Sequence, residues 1–433
     1  MAERIQVGVR CRPPAGNNAL YDASYALALE PHAIHIVPAH SRHVGQRSFA
    51  FDHVWAPETS QAQVYDHAVA PLVGHLLAGR SGAVLAYGQT GTGKSYTMGF
   101  LEASSAPELG IIPRVFEHLF DALAPTTHRV HMSFCQIYME TVHDLLVPLS
   151  SSLVDLPVRE RDSAFYVDGL EAHAVTSLQN ARSLVHLAMA NRALAATARN
   201  ATSSRSHSLL TISVSTTTST AQLVLVDLAG SERSLPSLGF APDATKARLL
   251  EAKSINSSLS ALGNVMSSLA SATRASYRDS KLTKLLKGVL RAGSTLVLAT
   301  VDGAAANLAE TLSTLKFASR CRHVTLPKRS SGAISSAHKN AAGQTVATQT
   351  EAPTDVDVLR DAFQKKEIEL HMLYQEQLYK LRRALERLSA RPDDKVWSIL
   401  GERSSILTRH DDDDDALSVS TEDGDEAFNQ VEL

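Results

Sequence analysis

The chain has 433 residues, a net charge of −3 and a hydrophobic fraction of 44%. That is enough apolar material for a large domain with appendages, and the near-neutral balance excludes a generally polybasic protein, so an acidic partner has to be met by a local basic patch. Cys11, Cys135 and Cys321 are scattered without metal-ligand spacing, which excludes a disulfide scaffold and a cysteine zinc module. The N-terminal residues lack an apolar signal region, and no apolar run approaches the ~18–20 residues of a membrane helix, so a soluble intracellular chain with no membrane partner is expected.

In chain order, residues 5–9 alternate at period two, and 83–87 form a short apolar run ending in glycine, as a buried strand would. Residues 113–122 read as a helix and 130–137 alternate again, followed by a second helical pattern over 178–196. Residues 209–214 and 222–226 flank a Thr/Ser turn as a hairpin would, and 247–269 are helical. Strands interleaved with helices over 1–325 predict one α/β domain, its sheet covered by helices on both faces. Residues 326–354 turn to Ser, Ala, Thr, Gln and Gly and read as a flexible linker. Over 355–390, Leu378, Leu381, Leu385 and Leu388 keep 3-4-3 spacing, with Leu359, Phe363, Leu370 and Leu373 in a related frame. This segment is either a short coiled coil that pairs two copies of the chain or a single amphipathic helix folded onto another surface. Residues 391–433 contain the run Asp411–Asp415, and from Asp411 onward hold ten acids and no Lys or Arg, which predicts a solvated, disordered tail.

Three motifs carry chemistry. Gly88-Gln89-Thr90-Gly91-Thr92-Gly93-Lys94-Ser95 fits G-x-x-x-x-G-K-[ST] and follows the predicted strand 83–87. Glycines let successive backbone N–H groups face a phosphate, Lys94 brings a point charge, Ser95 offers a hydroxyl to Mg²⁺, and the following helix aims its N-terminus at the anion. Asp227-Leu-Ala-Gly230-Ser-Glu232-Arg233 ends the strand 222–226. An Asp there reaches a magnesium shell through water and Gly230 N–H reaches a γ-phosphate, or the segment is merely a capped turn. Thr202-Ser203-Ser204-Arg205-Ser206 precedes an apolar strand. Its hydroxyls suit magnesium or an attacking water and Arg205 suits a pairing with Glu232; the bland alternative is a Ser-rich loop.

Together, in this order and spacing, these segments resemble the phosphate loop, switch I and switch II of the kinesin motor family. Arg10, Arg12 and Pro13 resemble the family's first-strand motif, Gly110–Arg114 the opening of its third helix, and Ile255–Val265 the relay helix after switch II. Tyr277–Thr283 and Glu310–Ala318 resemble its last two helices. The resemblance covers about three quarters of the chain. It implies a P-loop NTPase fold with a mixed, mostly parallel central sheet, and an ATP hydrolase stimulated by microtubules, with ATP and Mg²⁺ as ligands and a cytoplasmic, cytoskeletal location. It further implies that Ser95, Ser204 and, through water, Asp227 hold the metal, that Ser203 lies near the γ-phosphate, and that Gly230 senses it. Arg205 and Glu232 would form a closing salt bridge, with Glu232 relaying a proton, and Arg10, Arg12, Pro13 and Tyr96 would frame the adenine.

Six basic residues, Arg274, Arg278, Lys281, Lys284, Lys287 and Arg291, stand against the single acid Asp279 between positions 274 and 291, and the last four line one helical face. In the kinesin likeness this helix faces tubulin, with Lys246, Arg248 and Lys253 adding to the patch. Departures from the family pattern are Ser257 in the relay helix, Met139 after Tyr138, Arg291-Ala-Gly-Ser294, and a neck carrying Pro327 and Gly332. The Ile255–Leu259 stretch is similar to kinesins of the Hedgehog pathway, and 68–72 and 84–89 to chromokinesins. Two functions follow: a motor moving along microtubules, plus-end directed by analogy, or a non-motile microtubule-binding scaffold that uses nucleotide as a switch. No basic segment interleaved with aromatics supports a nucleic-acid partner.

Overall fold

The computed structural model describes residues 3–13, 25–38, 47–100, 108–123, 128–147, 154–198, 203–216, 219–232 and 242–326. The linker, the helix expected over 355–390 and the acidic tail lie outside the described residues. In chain order the N-terminal half contains β1 (Glu3–Arg4), β2 (Gln6–Cys11), β3 (Tyr25–Glu30), β4 (Ala33–Pro38), β5 (Arg47–Ala50) and β6 (His53–Trp55). Next come α1 (Gln61–Val64), which runs through a π turn into α2 (Ala70–Leu77), then β7 (Gly82–Tyr87), α3 (Lys94–Met98) and α4 (Ile111–Ala122). Strands β8 (Arg129–Tyr138), β9 (Thr141–Asp144), β10 (Val158–Arg161), β11 (Ala164–Val167) and β12 (His173–Ala174) precede α5 (Leu178–Ala198). The last described portion holds β13 (His207–Ser215), β14 (Thr220–Asp227), α6 (Pro242–Ala270), α7 (Lys281–Ala292), β15 (Ser294–Val301), α8 (Leu308–Arg322) and β16 (Thr325–Leu326).

The central sheet has the strand order β12-β8-β13-β14-β7-β15-β2-β6, with β9 paired to β8. β14, β7, β15, β2 and β6 are mutually parallel, while β13 joins antiparallel to both β14 and β8. The expected hairpin is therefore present, extended to 207–215 and 220–227. The buried parallel strands are continuous apolar runs, as strands covered on both faces are. Alternate side chains feed two cores. Leu85, Tyr87, Val297 and Ala299 pack with Leu262 and Met266 of α6, Leu286 and Leu290 of α7, and Leu315 and Phe317 of α8. Val84, Ala86, Leu296 and Leu298 pack with α2, α4 and α5 through Leu72, Leu76, Ile112, Phe116 and Leu184. The expectation of helices on both faces is met.

One local rule is broken. The β8–β9 hairpin pairs Tyr138 with Thr141, leaving Met139 and Glu140 as a two-residue turn with φ of 49° and 59°. Such a turn favours Asn or Gly, because a larger side chain in the left-handed region crowds its own backbone. Glu140 is retained for another task, since its carboxylate accepts the N–H of Lys281, 2.7 Å away, at the start of α7. Met139 is 41% exposed. Met139→Asn should raise stability by about 0.5–1 kcal/mol, read as a later midpoint in urea unfolding.

Candidate nucleotide site

The sheet topology converges the three motifs. The carboxyl ends of β7 and β14 are in register at Ala86 and Asp227, and the antiparallel β13 brings Ser208 opposite Asp227, so switch I arrives at the edge where switch II leaves. Open α/β sheets bind ligands at this crevice. The loop after β7 needs glycine at position 88: its φ is 152°, and a Cβ there would meet the Thr300 carbonyl oxygen at 2.3 Å. Close approach to β15 shapes the loop before any ligand enters.

Lys94 is buried and its Nζ donates to the carbonyls of Gly88 at 2.8 Å and Gln89 at 2.9 Å. Burial pushes its pKa down, opposed by Asp227 and Glu232, with Arg192 adding to the lowering. Ser95 Oγ donates to Asp227 Oδ2 at 2.7 Å. Asp227 Oδ1 is buried and has no hydrogen-bond partner among the described residues. A hydroxyl beside an unsatisfied carboxylate oxygen is a hard oxygen set, which fits Mg²⁺ and its preference for retaining waters. Ser204 lies on the 3-10 turn Ser203–Arg205 at the same edge, and its carbonyl accepts the Gly230 N–H at 2.8 Å, tying switch I to switch II. The Ser203 side chain lies outside the described residues.

One expected pairing is not formed in this structure. Arg205 does not meet Glu232; its guanidinium bonds the Glu251 carboxylate of α6, which also accepts the Tyr138 hydroxyl at 2.9 Å. Glu232 instead takes the backbone N–H of Thr90 at 2.8 Å and the Thr90 hydroxyl. Two donors on the phosphate loop outcompete one distant guanidinium, while Glu251 offers Arg205 a largely buried partner already oriented by Tyr138. Gly230 is hemmed in by the same arrangement: a Cβ there would fall 2.2 Å from Thr90 Oγ1 and 2.4 Å from Glu232 Oε2.

Around the adenine positions, Arg10 is buried, with its guanidinium bonded to Gln61 Oε1 at 2.6 Å and Thr97 Oγ1 at 3.0 Å. It lies 5.4 Å from the Tyr96 ring centroid, and so braces that exposed ring from beneath. Arg12 and Pro13 are exposed, and Arg12 donates to the Gly91 carbonyl. Thr92 joins Thr300 through their hydroxyls at 2.6 Å.

Two partners escaped the sequence reading. Arg192, on α5, is buried and ion-paired with Asp227 at 3.3 Å. His207 is fully enclosed; its Nδ1 accepts the Ala229 N–H at 3.0 Å, so its Nε2–H donates to Ser258 Oγ of α6 at 2.8 Å. Burial foremost, then Arg192 and Lys94, pushes its pKa down to about 3. In the unfolded chain a histidine titrates near 6.5, so between about pH 6.5 and pH 3 only the unfolded state takes up this proton, and stability falls as pH falls. At pH 5 the loss is about 2 kcal/mol, and His207→Asn should flatten the slope of unfolding free energy against pH over that window.

The basic face is partly neutralised from within. Arg278 pairs with Glu160 at 2.6 Å and Lys281 with Asp155 at 3.0 Å. Lys287 meets Glu160 at 3.4 Å and lies 4.9 Å from the Phe165 ring. Lys253 and Arg274 are exposed, and with Lys284 they form no ion pair among the described residues. Lys246 and Arg248 belong to α6, but their side chains lie outside the described residues. Glu160→Gln should release Arg278 and Lys287 and tighten binding to an acidic polymer by roughly two- to fivefold, in line with the ~0–1 kcal/mol of an exposed ion pair, with the gain shrinking as salt rises.

The model of the kinesin motor domain matches residues 10–324. The chain belongs to the kinesin motor family. Among curated relatives, kinesin-like protein klp-20 of Caenorhabditis elegans is 40% identical over 338 residues, covering 75% of this chain and 51% of its own. Chromosome-associated kinesin KIF4B of Homo sapiens is 38% identical over 342 residues, 74% of this chain and 26% of its own. The chain thus spans about half or less of the length of these kinesins. A solved structure of a fast kinesin superposes with a TM-score of 0.67 at 33% identity, covering 81% of this chain and all of that one. KIF14, as a dimer with AMP-PNP in complex with a microtubule, gives 0.66 at 34% identity over 76% of this chain and 96% of its own. These likenesses confirm the expected mixed-sheet motor fold.

Proposed function

We propose that this kinesin chain hydrolyses MgATP, is stimulated by microtubules and converts the cycle into movement along them. The observation that carries the reading is the convergence of Lys94, the Ser95–Asp227 pair, the Gly230–Ser204 link and Glu232 on one sheet edge. Lys94 exchanges its loop carbonyls for β- and γ-phosphate oxygens. Ser95, Ser204 and, through water, Asp227 would hold Mg²⁺, whose charge would offset that of the phosphates. The Gly230 N–H exchanges the Ser204 carbonyl for the γ-phosphate. Ser203 orients the attacking water, and Glu232 leaves Thr90, pairs with Arg205 and relays the proton. Arg12, Pro13 and the braced Tyr96 frame the base. Positioning and charge stabilisation supply most of the rate.

Lys253, Arg274 and Lys284, with Lys246, Arg248 and the internally paired Arg278, Lys281 and Lys287, form the face that meets acidic tubulin at the microtubule cytoskeleton of the cytoplasm. The internal pairing favours a second reading, a scaffold that binds weakly and switches with nucleotide. Residues 1–325 act as the motor, 326–354 as a linker, 355–390 as a helix that pairs two copies, and 391–433 as a solvated tail. Gliding of polarity-marked microtubules on surface-bound chain distinguishes the readings: ATP-dependent, plus-end-directed travel is expected, and binding without any movement would favour the scaffold.

A further inference from the structure

Helix α8 and its N-cap residue touch β7 and the phosphate loop that follows it. Near its middle, Phe317 stacks on Tyr87, the residue before Gly88, with ring centroids 3.9 Å apart. At its start, Gln89 Nε2 donates to Asn307 Oδ1 at 3.1 Å, and Asn307 Nδ2 donates to Asp302 Oδ2 at 2.9 Å. Asp302 Oδ1 takes the Ala304 N–H at 2.9 Å, so both its carboxylate oxygens are used. Asn307 holds the N-cap position of α8 yet makes no side-chain cap bond. The side chain forgoes that cap and is turned toward the phosphate loop instead. Gln89 Oε1 is buried without a partner among the described residues, so this amide is only half satisfied and a change at the loop can reorient it. The far end of α8 leads directly into the neck. Val324 is buried, its carbonyl accepts the Ile5 N–H at 3.2 Å, and Thr325 and Leu326 pair with Arg4 and Glu3.

We propose that Asn307 is a positioning residue: the hydrogen-bond chain Gln89–Asn307–Asp302 sets the placement of α8 according to the state of the phosphate loop, and through it the neck at 324–326. The inference rests on the nucleotide-dependent function above and adds to it which side chains carry the signal to the neck.

The test uses the full chain with spin labels on Thr325→Cys and Asp121→Cys, both at exposed positions. The native Cys11, Cys135 and Cys321 are buried, which pushes their thiols up to about 12 and keeps them unlabelled. The label-to-label distance is compared with ADP and with AMP-PNP, and binding of a fluorescent ATP analogue is measured in parallel. Asn307→Asp places a second carboxylate against Asp302 and should cut the nucleotide-driven distance change by at least half. Adding Asp302→Asn exchanges the two groups. The amide now at position 302 keeps the Ala304 bond through its oxygen and donates to the carboxylate now at position 307, which still accepts from Gln89. The double variant should therefore recover the change. A full distance change in Asn307→Asp, or failure of the double variant to recover it, overturns the inference. So does a neck distance in the parent chain that ignores nucleotide while the analogue binds. Absence of analogue binding in the parent chain overturns this inference together with the functional reading, and so separates the two failures.

Discussion

Gly230→Ala should lower ATP turnover by roughly 100-fold or more, the scale of losing one preorganised donor to a developing anion, while affinity for the nucleotide changes only a few-fold. The reason is steric and local. A methyl at position 230 falls within 2.5 Å of both Glu232 oxygens and 2.2 Å from Thr90 Oγ1, so the Glu232–Thr90 contact has to give way and the Glu232 carboxylate is displaced. Lys94 and Ser95 are not among the groups this methyl meets, which separates binding from hydrolysis. Phosphate release in steady state and titration with a fluorescent ATP analogue measure the two quantities. Turnover within threefold of the parent chain would mean that Gly230 is spaced for folding alone.

The largest expected effect on stability is at Arg192. Its guanidinium and the Asp227 carboxylate are almost fully buried, with 3% and 2% of their side chains exposed. Removing one member of such a pair leaves an uncompensated charge away from water, and Arg192→Ala should lose about 3 kcal/mol. Lys94 also feels the Asp227 charge but is already committed to the carbonyls of Gly88 and Gln89. Arg192→Ala combined with Asp227→Ala should cost clearly less than the two single losses added together, because neither member of the pair is then left facing a missing partner. Urea unfolding midpoints of the two single variants and the double variant read this directly. Additive losses would show that the two side chains act independently.

The local parts of this account are legible in the sequence. The phosphate loop is contiguous, its glycines and Lys94–Ser95 stand at fixed offsets, and the strand that feeds it is apolar throughout. The hairpin at 207–227 and the helices at 111–122, 178–198 and 242–270 show in the periodicity, with ends shifted by one to a few residues. Partners fixed by the sheet order do not show. Glu251 is 46 residues from Arg205, and Arg192 is 35 residues from Asp227. Nothing in either neighbourhood marks one carboxylate above another, so sequence alone assigns Arg205 to Glu232, the acid of the nearest motif. The basic stripe on α7 is visible as a stripe, but Asp155 and Glu160 reach it from the β10 strand and the segment before it, more than a hundred positions earlier. Strand β15 lies behind the unusual Arg291-Ala-Gly-Ser294 turn and carries no motif, although its burial on both faces makes it central to the sheet.

The neck shows the same division. Thr325 and Leu326 pair with Arg4 and Glu3, and Pro327 lies outside the described residues. Val324, with no charge or motif to mark it, is the residue that inserts into the core.

The central claim is tested most directly by steady-state ATP hydrolysis of the full chain, with and without taxol-stabilised microtubules, at low and moderate salt. The account predicts stimulation of about tenfold or more, diminished by salt as screening weakens the basic face and abolished in Glu232→Ala. A rate unchanged by microtubules that nevertheless bind the chain would contradict it and leave a nucleotide-switched scaffold.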